Sequence, residues 1–198
     1  MKDLMVALRT ALVTLALTGI LYPLVVYGAG QVLFSHKANG SIVADDHGQE
    51  IGSELIGQGF SSPGYLQPRP SASSYDAANS AGTNLAVTSK KLRDESVQFV
   101  DQYRATNEVG SDVELPPDAV TRSASGIDPD VSPENARLQA ARIAKARGVE
   151  ITRVTAVIDD HTDGRTLGLF GEVRVNVLAV NLALDRKFGR PARATVQR

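Results

Sequence analysis

The feature that most constrains this chain is an uncharged segment near its beginning. Residues 10–35 contain no Asp, Glu, Lys, Arg or His, and they lie between Arg9 and the pair His36 and Lys37. A helix of that length rises roughly 39 Å at about 1.5 Å per residue, which exceeds the roughly 30 Å hydrocarbon core of a bilayer. The sequence therefore predicts a transmembrane helix at about residues 10–35, within an N-terminal segment 1–36, followed by one domain over residues 37–198.

The charges around this segment predict its orientation. Lys2 and Arg9 precede it, whereas no Lys or Arg appears between Lys37 and Arg69. Because the cytoplasmic flank of a membrane helix is the one enriched in basic residues, we expect a cytoplasmic N-terminus. Residues 37–198 then form an extracytoplasmic, periplasmic-side domain on a single-pass anchor.

A cleaved signal peptide is the alternative interpretation. Residues 28–30, Gly-Ala-Gly, resemble a cleavage site. The uncharged run is longer than the roughly 7–15 apolar residues typical of a signal peptide, which favours a retained anchor. Pro23 interrupts the run and is tolerated in a membrane helix when neighbouring groups satisfy the carbonyl that it frees.

Three threonines lie four residues apart within the predicted helix. Thr10, Thr14 and Thr18 share one face, and small residues of this kind let two membrane helices approach closely. Alternatively, each hydroxyl donates to the carbonyl four residues before it in its own helix. The sequence leaves both interpretations open.

Composition limits the function classes. About 160 residues remain after the anchor, enough for one domain with a hydrophobic core. The net charge is -1, aromatic residues are 5% and there is no Trp, so the chain lacks both a basic stripe and a stacking platform for nucleic acid. The absence of Cys excludes disulfides, thiol catalysis and cysteine zinc sites, and suits a bacterial exterior domain.

Turn residues, β-branched runs and apolar periodicity predict an α+β domain. The expected strands are residues 41–43, 54–56, 65–66, 149–158 and 165–171, with a hairpin turn at 159–164. The expected helices are residues 89–106, 133–147 and 177–188, although the valines at the start of the last one leave a strand possible there. The second helix is marked by Ser132 as its N-cap, Pro133 at its first position and Gly148 after its end. Residues 67–84 are rich in Ser, Asn, Gly and Pro and are expected to form a long loop, a kind of segment that often carries function.

Tests for catalytic motifs find little. Gly52 and Gly57 have the spacing of a phosphate-binding loop, but Gln58 stands where the loop needs Lys. The chain contains neither a G-x-S-x-G elbow nor an H-E-x-x-H pair. Its three histidines, at positions 36, 47 and 161, are too few for a catalytic triad or a multi-histidine metal site to be expected. We therefore predict no catalytic residue and no metal site.

Two acidic clusters have alternative interpretations. Asp159, Asp160, His161 and Asp163 could hold a hard cation, but Asp in a hairpin turn commonly bonds its own backbone, which is the favoured interpretation. The acids Asp128 and Asp130 precede a predicted helix, where they could contact a partner; capping and interaction with the helix dipole are favoured.

Many strings of this sequence are similar to the KdpC family, the C subunit of the bacterial high-affinity potassium-transporting P-type ATPase. The similarity begins at the single N-terminal span and continues in order to the last predicted helix. The matching positions are Gln31 and residues 38–41, 52–60, 69–72, 84–85, 120–129, 132–134, 139, 142–147 and 175–185.

This resemblance implies a non-catalytic accessory subunit of an ATP-driven potassium import complex in the bacterial inner membrane. The implied partners are a channel-like potassium-translocating subunit, a P-type catalytic subunit, a very small single-span subunit and membrane lipid. The resemblance further implies that the chain stabilises the assembly and raises the ATP affinity of the hydrolysing subunit. ATP and potassium belong to the complex, with no cofactor bound firmly here. The alternative is a membrane-anchored extracytoplasmic enzyme, such as a hydrolase, that uses the acids around Asp128 or Asp159.

The resemblance also provides candidates for nucleotide contact. Where the family has Ser-Gly-Gly-Ser-Asn, this chain has Ser80, Ala81, Gly82, Thr83 and Asn84, which makes Ser80, Gly82 and Asn84 the candidates. Alanine at 81 lacks the freedom of glycine to adopt positive φ. With the domain outside the membrane and ATP inside, an effect on ATP affinity would be allosteric, a coupling of about 1–3 kcal/mol.

Residues 69–84 and 123–132 match the family most closely. They are rich in Ser, Asn, Gly and Pro and short of charge, as expected of loops kept for partner contact. The candidate partner-binding residues are Arg69, Pro70, Ser71, Asn84, Ser123, Gly126 and Asp128. Arg69 stands between two prolines, so its guanidinium can bind a partner carboxylate or carbonyl with little entropy lost. Alternatively, Arg69 forms an internal salt bridge with Asp128 or another acid.

The charge pattern yields a test of topology. A reporter active only in the periplasm, fused after Arg198, is expected to be active, and mass spectrometry is expected to find the N-terminus uncleaved. A silent periplasmic reporter together with an active cytoplasmic one would contradict the orientation. A mature chain that begins near Gln31 would establish a signal peptide.

Overall fold

The computed structural model describes residues 1–45 and 48–191. The chain forms two compact units, Met1–Ile51 and Gly52–Arg198, which are treated separately below. Among the three histidines, His47 lies outside the described residues. The predicted boundary after residue 36 refers to where the chain leaves the membrane, and it stays a prediction.

The first unit begins with a long apolar helix, as predicted. Helix α1 (Lys2–Ala16) continues through a π-helical turn (Leu17–Leu21) into α2 (Tyr22–Leu33), and none of these residues is buried. Together they form a helix whose length and composition suffice to cross a membrane. The π-helical turn lies directly before Pro23, and the N–H of Tyr22 donates to the carbonyl of Leu17. This wider turn accommodates a proline that can donate no hydrogen bond and whose ring crowds the preceding turn.

A short helix and a pair of strands follow. Helix α3 spans Ser35–Ala38, and strand β1 (Ile42–Ala44), close to the predicted 41–43, is hydrogen-bonded to β2 (Glu50–Ser53). The predicted strand at 54–56 is wrong because these residues form a turn. The hydroxyl of Ser53 accepts from the N–H of Leu55 at 3.1 Å, which reverses the chain directly after β2.

The second unit contains the two predicted helices with clear caps. Helix α4 (Lys90–Asn107) begins at Ser89, whose hydroxyl accepts from a backbone N–H of the first turn. Helix α6 (Pro133–Arg147) is capped at its start by Ser132 and ends at Gly148, where φ is +64°. Between them lies the short helix α5 (Pro117–Val120). Proline at the first helical position and glycine after the last one explain why α6 was predicted correctly.

Residues 149–158 form a helix rather than the predicted strand. Helix α7 (Ile151–Asp160) packs on α6, and Val154, Val157 and Ile158 are fully buried. Apolar residues three and four apart make one helical stripe, and this period overrides the β propensity of valine and isoleucine. Asp159 and Asp160 therefore end a helix, so the predicted hairpin turn at 159–164 is also wrong.

A small antiparallel sheet of order β3-β5-β4 lies against these helices. Its strands are β3 (Asp130–Val131), β4 (Thr162–Asp163) and β5 (Arg174–Asn176). Val175 of the central strand is opposite Val131 on one side and Thr162 on the other. The predicted return strand at 165–171 is wrong, because these residues form a loop. The strand that pairs with β4 is β5, which begins at Arg174.

The last helix closes the core. Helix α8 (Val177–Phe188), predicted correctly, begins at Asn176, whose side chain accepts from the N–H of Ala179 at 3.0 Å. The core is formed by α6, α7, α8 and β5; its members include Leu66, Val131, Ala136, Ala140, Ile143, Val154, Ile158, Val175, Val180 and Leu184. The second unit thus has the predicted α+β fold.

Residues 65–66 do not form the predicted strand. The side-chain oxygen of Asn181 accepts from the N–H of Leu66 at 2.7 Å, and its amide donates to the carbonyl of Leu66 at 2.9 Å. Gln139 forms the same reciprocal pair with the backbone of Gln67, at 2.8 and 3.1 Å. Helix side chains therefore satisfy a buried backbone that would otherwise need a neighbouring strand.

A buried arginine extends this network. Arg142 of α6 donates to the carbonyls of Pro63 and Tyr65, at 2.6 and 3.0 Å, and to the side-chain oxygens of Asn107 and Gln139, at 2.8 and 2.7 Å. All four acceptors are neutral oxygens. Burial lowers the pKa of Arg142 to about 10, so the guanidinium remains charged at neutral pH. This one side chain joins α6, the end of α4 and residues 63–65.

Replacing Arg142 therefore provides a test of the network. Arg142→Met is expected to lower the free energy of unfolding by about 2–4 kcal/mol. The loss of donors to four buried acceptors destabilises the fold, and this outweighs the gain from no longer burying a charge. The matched control is Arg137→Met on the same helix, which removes only an exposed pair with Asp159 and is expected to cost about 0–1 kcal/mol. Urea unfolding of the full chain in detergent measures both, and equal effects would contradict the importance of the network.

Candidate functional site

The two segments proposed for partner contact are bound to each other. We name residues 69–84 the first loop and residues 123–132 the second loop. The hydroxyl of Ser71 donates to the carbonyl of Gly126 at 2.6 Å, and that of Ser80 donates to the carbonyl of Ser125 at 2.9 Å. The N–H of Ser123 donates to the carbonyl of Pro70 at 3.0 Å. The serines of the first loop therefore replace the hydrogen bonds that a sheet would supply.

Glycines permit this close approach. A Cβ at Gly82 would lie 2.6 Å from the carbonyl oxygen of Ala124, and one at Gly126 would lie 2.7 Å from that of Ala81. Gly126 also has φ +73°, which favours glycine. Loop packing thus accounts for both glycines, and Ser80 is engaged in the same contact. A nucleotide role for Ser80, Gly82 and Asn84 stays a prediction; Asn84 has a left-handed backbone, with φ +51°.

Arg69 lies at the base of the two loops. Its Nη1 donates to Asp128 Oδ2 at 3.0 Å, and its Nη2 lies 3.4 Å from both the hydroxyl of Thr121 and the carbonyl of Arg122. Its Nε is buried and has no hydrogen-bond partner within the described part of the chain. The structure thus has the internal salt bridge that was one of the two alternatives. Contact of Arg69 with a partner stays a prediction.

A half-open cavity of about 350 Å³ lies between the first loop, α4 and α6. Tyr75 and Arg122 reach it from the loop side, while Phe99 and Tyr103 reach it from α4. The guanidinium of Arg122 lies 5.3 Å from the ring centre of Phe99 and 3.6 Å from Glu95. Burial raises the pKa of Tyr75 and of Tyr103, so both hydroxyls stay protonated at neutral pH. Neither hydroxyl is therefore suited to act as a general base at neutral pH.

The acids before α6 act differently from the expectation. Asp128 pairs with Arg69, and Asp130 pairs with Arg174 at 3.2 Å; burial, the largest cause, raises the pKa of Asp130. The predicted capping role of these two acids is wrong, because the cap is built by Ser132 and Asp118. Asp118 accepts from the N–H and the hydroxyl of Ser132, both at 2.8 Å.

Sequence reasoning missed Asp118. It also accepts from the side-chain amide of Asn135 at 2.9 Å, and Asn135 accepts from the hydroxyl of Tyr103 at 2.9 Å. Asp118 follows two prolines and is fourteen positions before Ser132 in the chain, so no local capping pattern contains it. Only the packing of α5 against the start of α6 brings the groups together.

The second acidic cluster is divided among separate partners. Asp159 pairs with Arg137 at 2.8 Å, while Asp163 lies 3.7 Å from Arg174. His161 has its Nδ1 2.9 Å from the carbonyl of Val157. These side chains therefore contribute to helix and sheet contacts.

The three threonines of the apolar helix remain exposed. Thr10 and Thr14 lie in α1 and Thr18 in the π-helical turn. The hydroxyl of Thr18 donates to the carbonyl of Thr14 at 2.8 Å, which is the intrahelical alternative. Packing of this face against a partner helix stays a prediction.

Comparison with known proteins gives one consistent result. Residues 4–186 match the family described as KdpC: K+-transporting ATPase, c chain. A Myxococcus xanthus protein named potassium-transporting ATPase KdpC subunit is 54% identical over 185 residues, which cover 92% of this chain and 87% of that protein. Proteins of the same name from Mycobacterium tuberculosis and Cereibacter sphaeroides are each 49% identical to this chain. Each alignment covers 93% of this chain, and it covers 98% of the first protein and 97% of the second.

The position of Arg69 yields a test that separates its two roles. Arg69→Ala is expected to lower the free energy of unfolding by about 1–2 kcal/mol, because the partly buried Asp128 loses its charged partner. Arg137→Ala is the matched control, since it removes an exposed pair with Asp159 and is expected to cost less than about 1 kcal/mol. Unfolding in detergent measures both. Unchanged stability with weaker retention of partner subunits would instead assign Arg69 to partner contact.

Proposed function

The chain belongs to the KdpC family, the c chain of K+-transporting ATPases, and from this premise we propose that it is a non-catalytic accessory subunit of a high-affinity, ATP-driven potassium import complex. The observation that carries the proposal is the extent of the family match. It begins at Leu4 in the apolar helix and ends at Arg186 in α8, so it covers both the helix and the folded domain.

The apolar helix supports a membrane anchor. The apolar side chains of this helix are exposed in the described structure. Insertion in the bacterial inner membrane removes them from water. Lys2 and Arg9 favour a cytoplasmic N-terminus, which leaves the domain outside. The threonine face is then available to a neighbouring span.

The proposed partners are the channel-like potassium-translocating subunit, the P-type catalytic subunit and the very small single-span subunit. The two loops support a stabilising role in this assembly. They are joined by backbone and serine hydrogen bonds and by the Arg69 salt bridge, so they present an ordered surface to a partner. An ordered surface loses little conformational entropy on binding.

We propose that the effect on the catalytic subunit is allosteric. ATP is bound on the cytoplasmic side and the domain lies outside, about 30 Å of hydrocarbon away. A coupling free energy of about 1–3 kcal/mol, transmitted through packed spans, corresponds to about 5–150-fold in ATP affinity.

The enzyme alternative has less support. Asp128 and Asp159, its proposed acids, are paired with Arg69 and Arg137 at 3.0 and 2.8 Å. Both carboxylates are therefore already engaged in ion pairs within the domain.

Removing the chain from the complex tests the proposal. A strain that lacks only this subunit is expected to lose growth at limiting potassium, and the remaining subunits are expected to co-purify poorly. The ATP concentration for half-maximal hydrolysis by any recovered complex should rise about 5–150-fold. Re-expression of the full chain is the control. Unchanged assembly and growth without the subunit would contradict the proposal.

A further inference from the structure

The loop between β4 and β5 carries an exposed apolar cluster. We name residues 166–171, with sequence Thr-Leu-Gly-Leu-Phe-Gly, the apolar tip. Leu167 is 84% exposed, Leu169 76% and Phe170 65%; in the second unit, only Val87 among the described large apolar residues is more exposed than these leucines. Monomeric domains seldom expose contiguous large apolar side chains unless the patch binds something.

The apolar tip is an ordered structure even though it packs on no core. The N–H of Thr166 donates to the carbonyl of Phe170 at 2.8 Å, and the N–H of Phe170 donates back at 3.0 Å. Leu167 has φ +54° and Gly168 φ +74°. A left-handed backbone is unfavourable for leucine. Such strained residues cluster at functional sites, where the surrounding structure holds them in place.

Ion pairs fix the base of the loop to the sheet. Arg165 and Glu172 pair at 2.6 Å across the neck of the apolar tip. Arg174, the first residue of β5, lies 3.2 Å from Asp130 of β3 and 3.7 Å from Asp163 of β4. The fully buried Val175 follows directly. The apolar tip is thus presented on a rigid support, and its charged neighbours are already paired within the domain.

We propose that the apolar tip docks into an uncharged, apolar pocket on the extracytoplasmic face of another subunit of the potassium-transporting ATPase. The proposal rests on the proposed function, because it takes its partner from that complex. Two leucines and a phenylalanine on a preformed loop supply apolar anchors of the kind that dominate binding energy, with little entropy lost on docking.

Charge distinguishes this partner from a lipid surface. Anionic membranes attract clusters of Lys and Arg beside the inserted apolar groups. Arg165 and Arg174 are the only Lys or Arg residues in the sequence 160–176, and each is paired with an acid of the domain. An uncharged protein pocket needs no free basic cluster beside the apolar groups, so the charge pattern favours a protein partner.

Photo-crosslinking identifies the occupant. The full chain carrying p-benzoylphenylalanine in place of Phe170 is expressed in cells with the other ATPase subunits, irradiated and analysed by mass spectrometry. The expected product is an adduct with another subunit of the complex. An adduct with lipid, an adduct with a second copy of this chain, or no adduct would each overturn the proposal. Ile151 of α7, 45% exposed and outside both loops and the apolar tip, carries the same probe as the control and is expected to give no subunit adduct.

A triple variant measures the contribution of the apolar tip. Leu167→Ser, Leu169→Ser and Phe170→Ser together are expected to reduce the co-purified partner subunits at least about tenfold. The melting temperature should be unchanged, since these side chains lie outside the core. Ile151→Ser, at an exposed position of α7, is the matched control and should retain the partners.

The outcomes separate the two proposals. If the unaltered chain retains the other subunits and the triple variant retains them equally, the role of the apolar tip is overturned while the proposed function stands. If the unaltered chain itself retains no other subunit, the proposed function is contradicted, and the role of the apolar tip falls with it.

Discussion

The second unit depends on a buried strip of backbone that helix side chains satisfy. Arg142, Gln139 and Asn181 hydrogen-bond to the backbone of Pro63, Tyr65, Leu66 and Gln67. Buried backbone groups are usually paired within a helix or a sheet. Here a guanidinium and two side-chain amides supply those hydrogen bonds, so the chain enters the first loop from a fixed position. A buried group left unpaired would be costly, which makes this network sensitive to any single loss.

The candidate site follows from that fixed entry. Two residues beyond Gln67, Arg69 reaches Asp128, and the serines that follow it bind the carbonyls of Ser125 and Gly126. Asp118 and Ser132 then set the start of α6, which itself carries Arg142 and Gln139. The loops and the helix network thus support each other, and together they give an ordered surface on a domain whose regular sheet is small. Membership of the KdpC family gives this surface its context, a subunit of a K+-transporting ATPase.

Local patterns predicted the parts of the fold that local chemistry decides. The uncharged run identified the apolar helix, and Ser132, Pro133 and Gly148 marked both ends of α6, because caps and proline act within a few residues. Most strand predictions, which rested on composition alone, were wrong. The β-branched run at 149–158 has helical spacing of its buried residues, and Leu66 finds its partner in Asn181 of α8. Strand formation depends on a neighbour that a single segment does not contain.

The sequence by itself determined the long apolar helix, the capped helices, the α+β class and the family, because each depends on order or spacing along the chain. The tertiary structure decided the rest. It paired Arg69 with Asp128, brought Asp118 to the start of α6, and placed the leucines of the apolar tip on a supported loop. Arg69 and Asp128 are 59 positions apart, Asp118 and Ser132 are 14 apart, and the base of the apolar tip is held by the ion pair of Arg174 with the distant Asp130. The distance between such groups is set by packing, which no local pattern encodes.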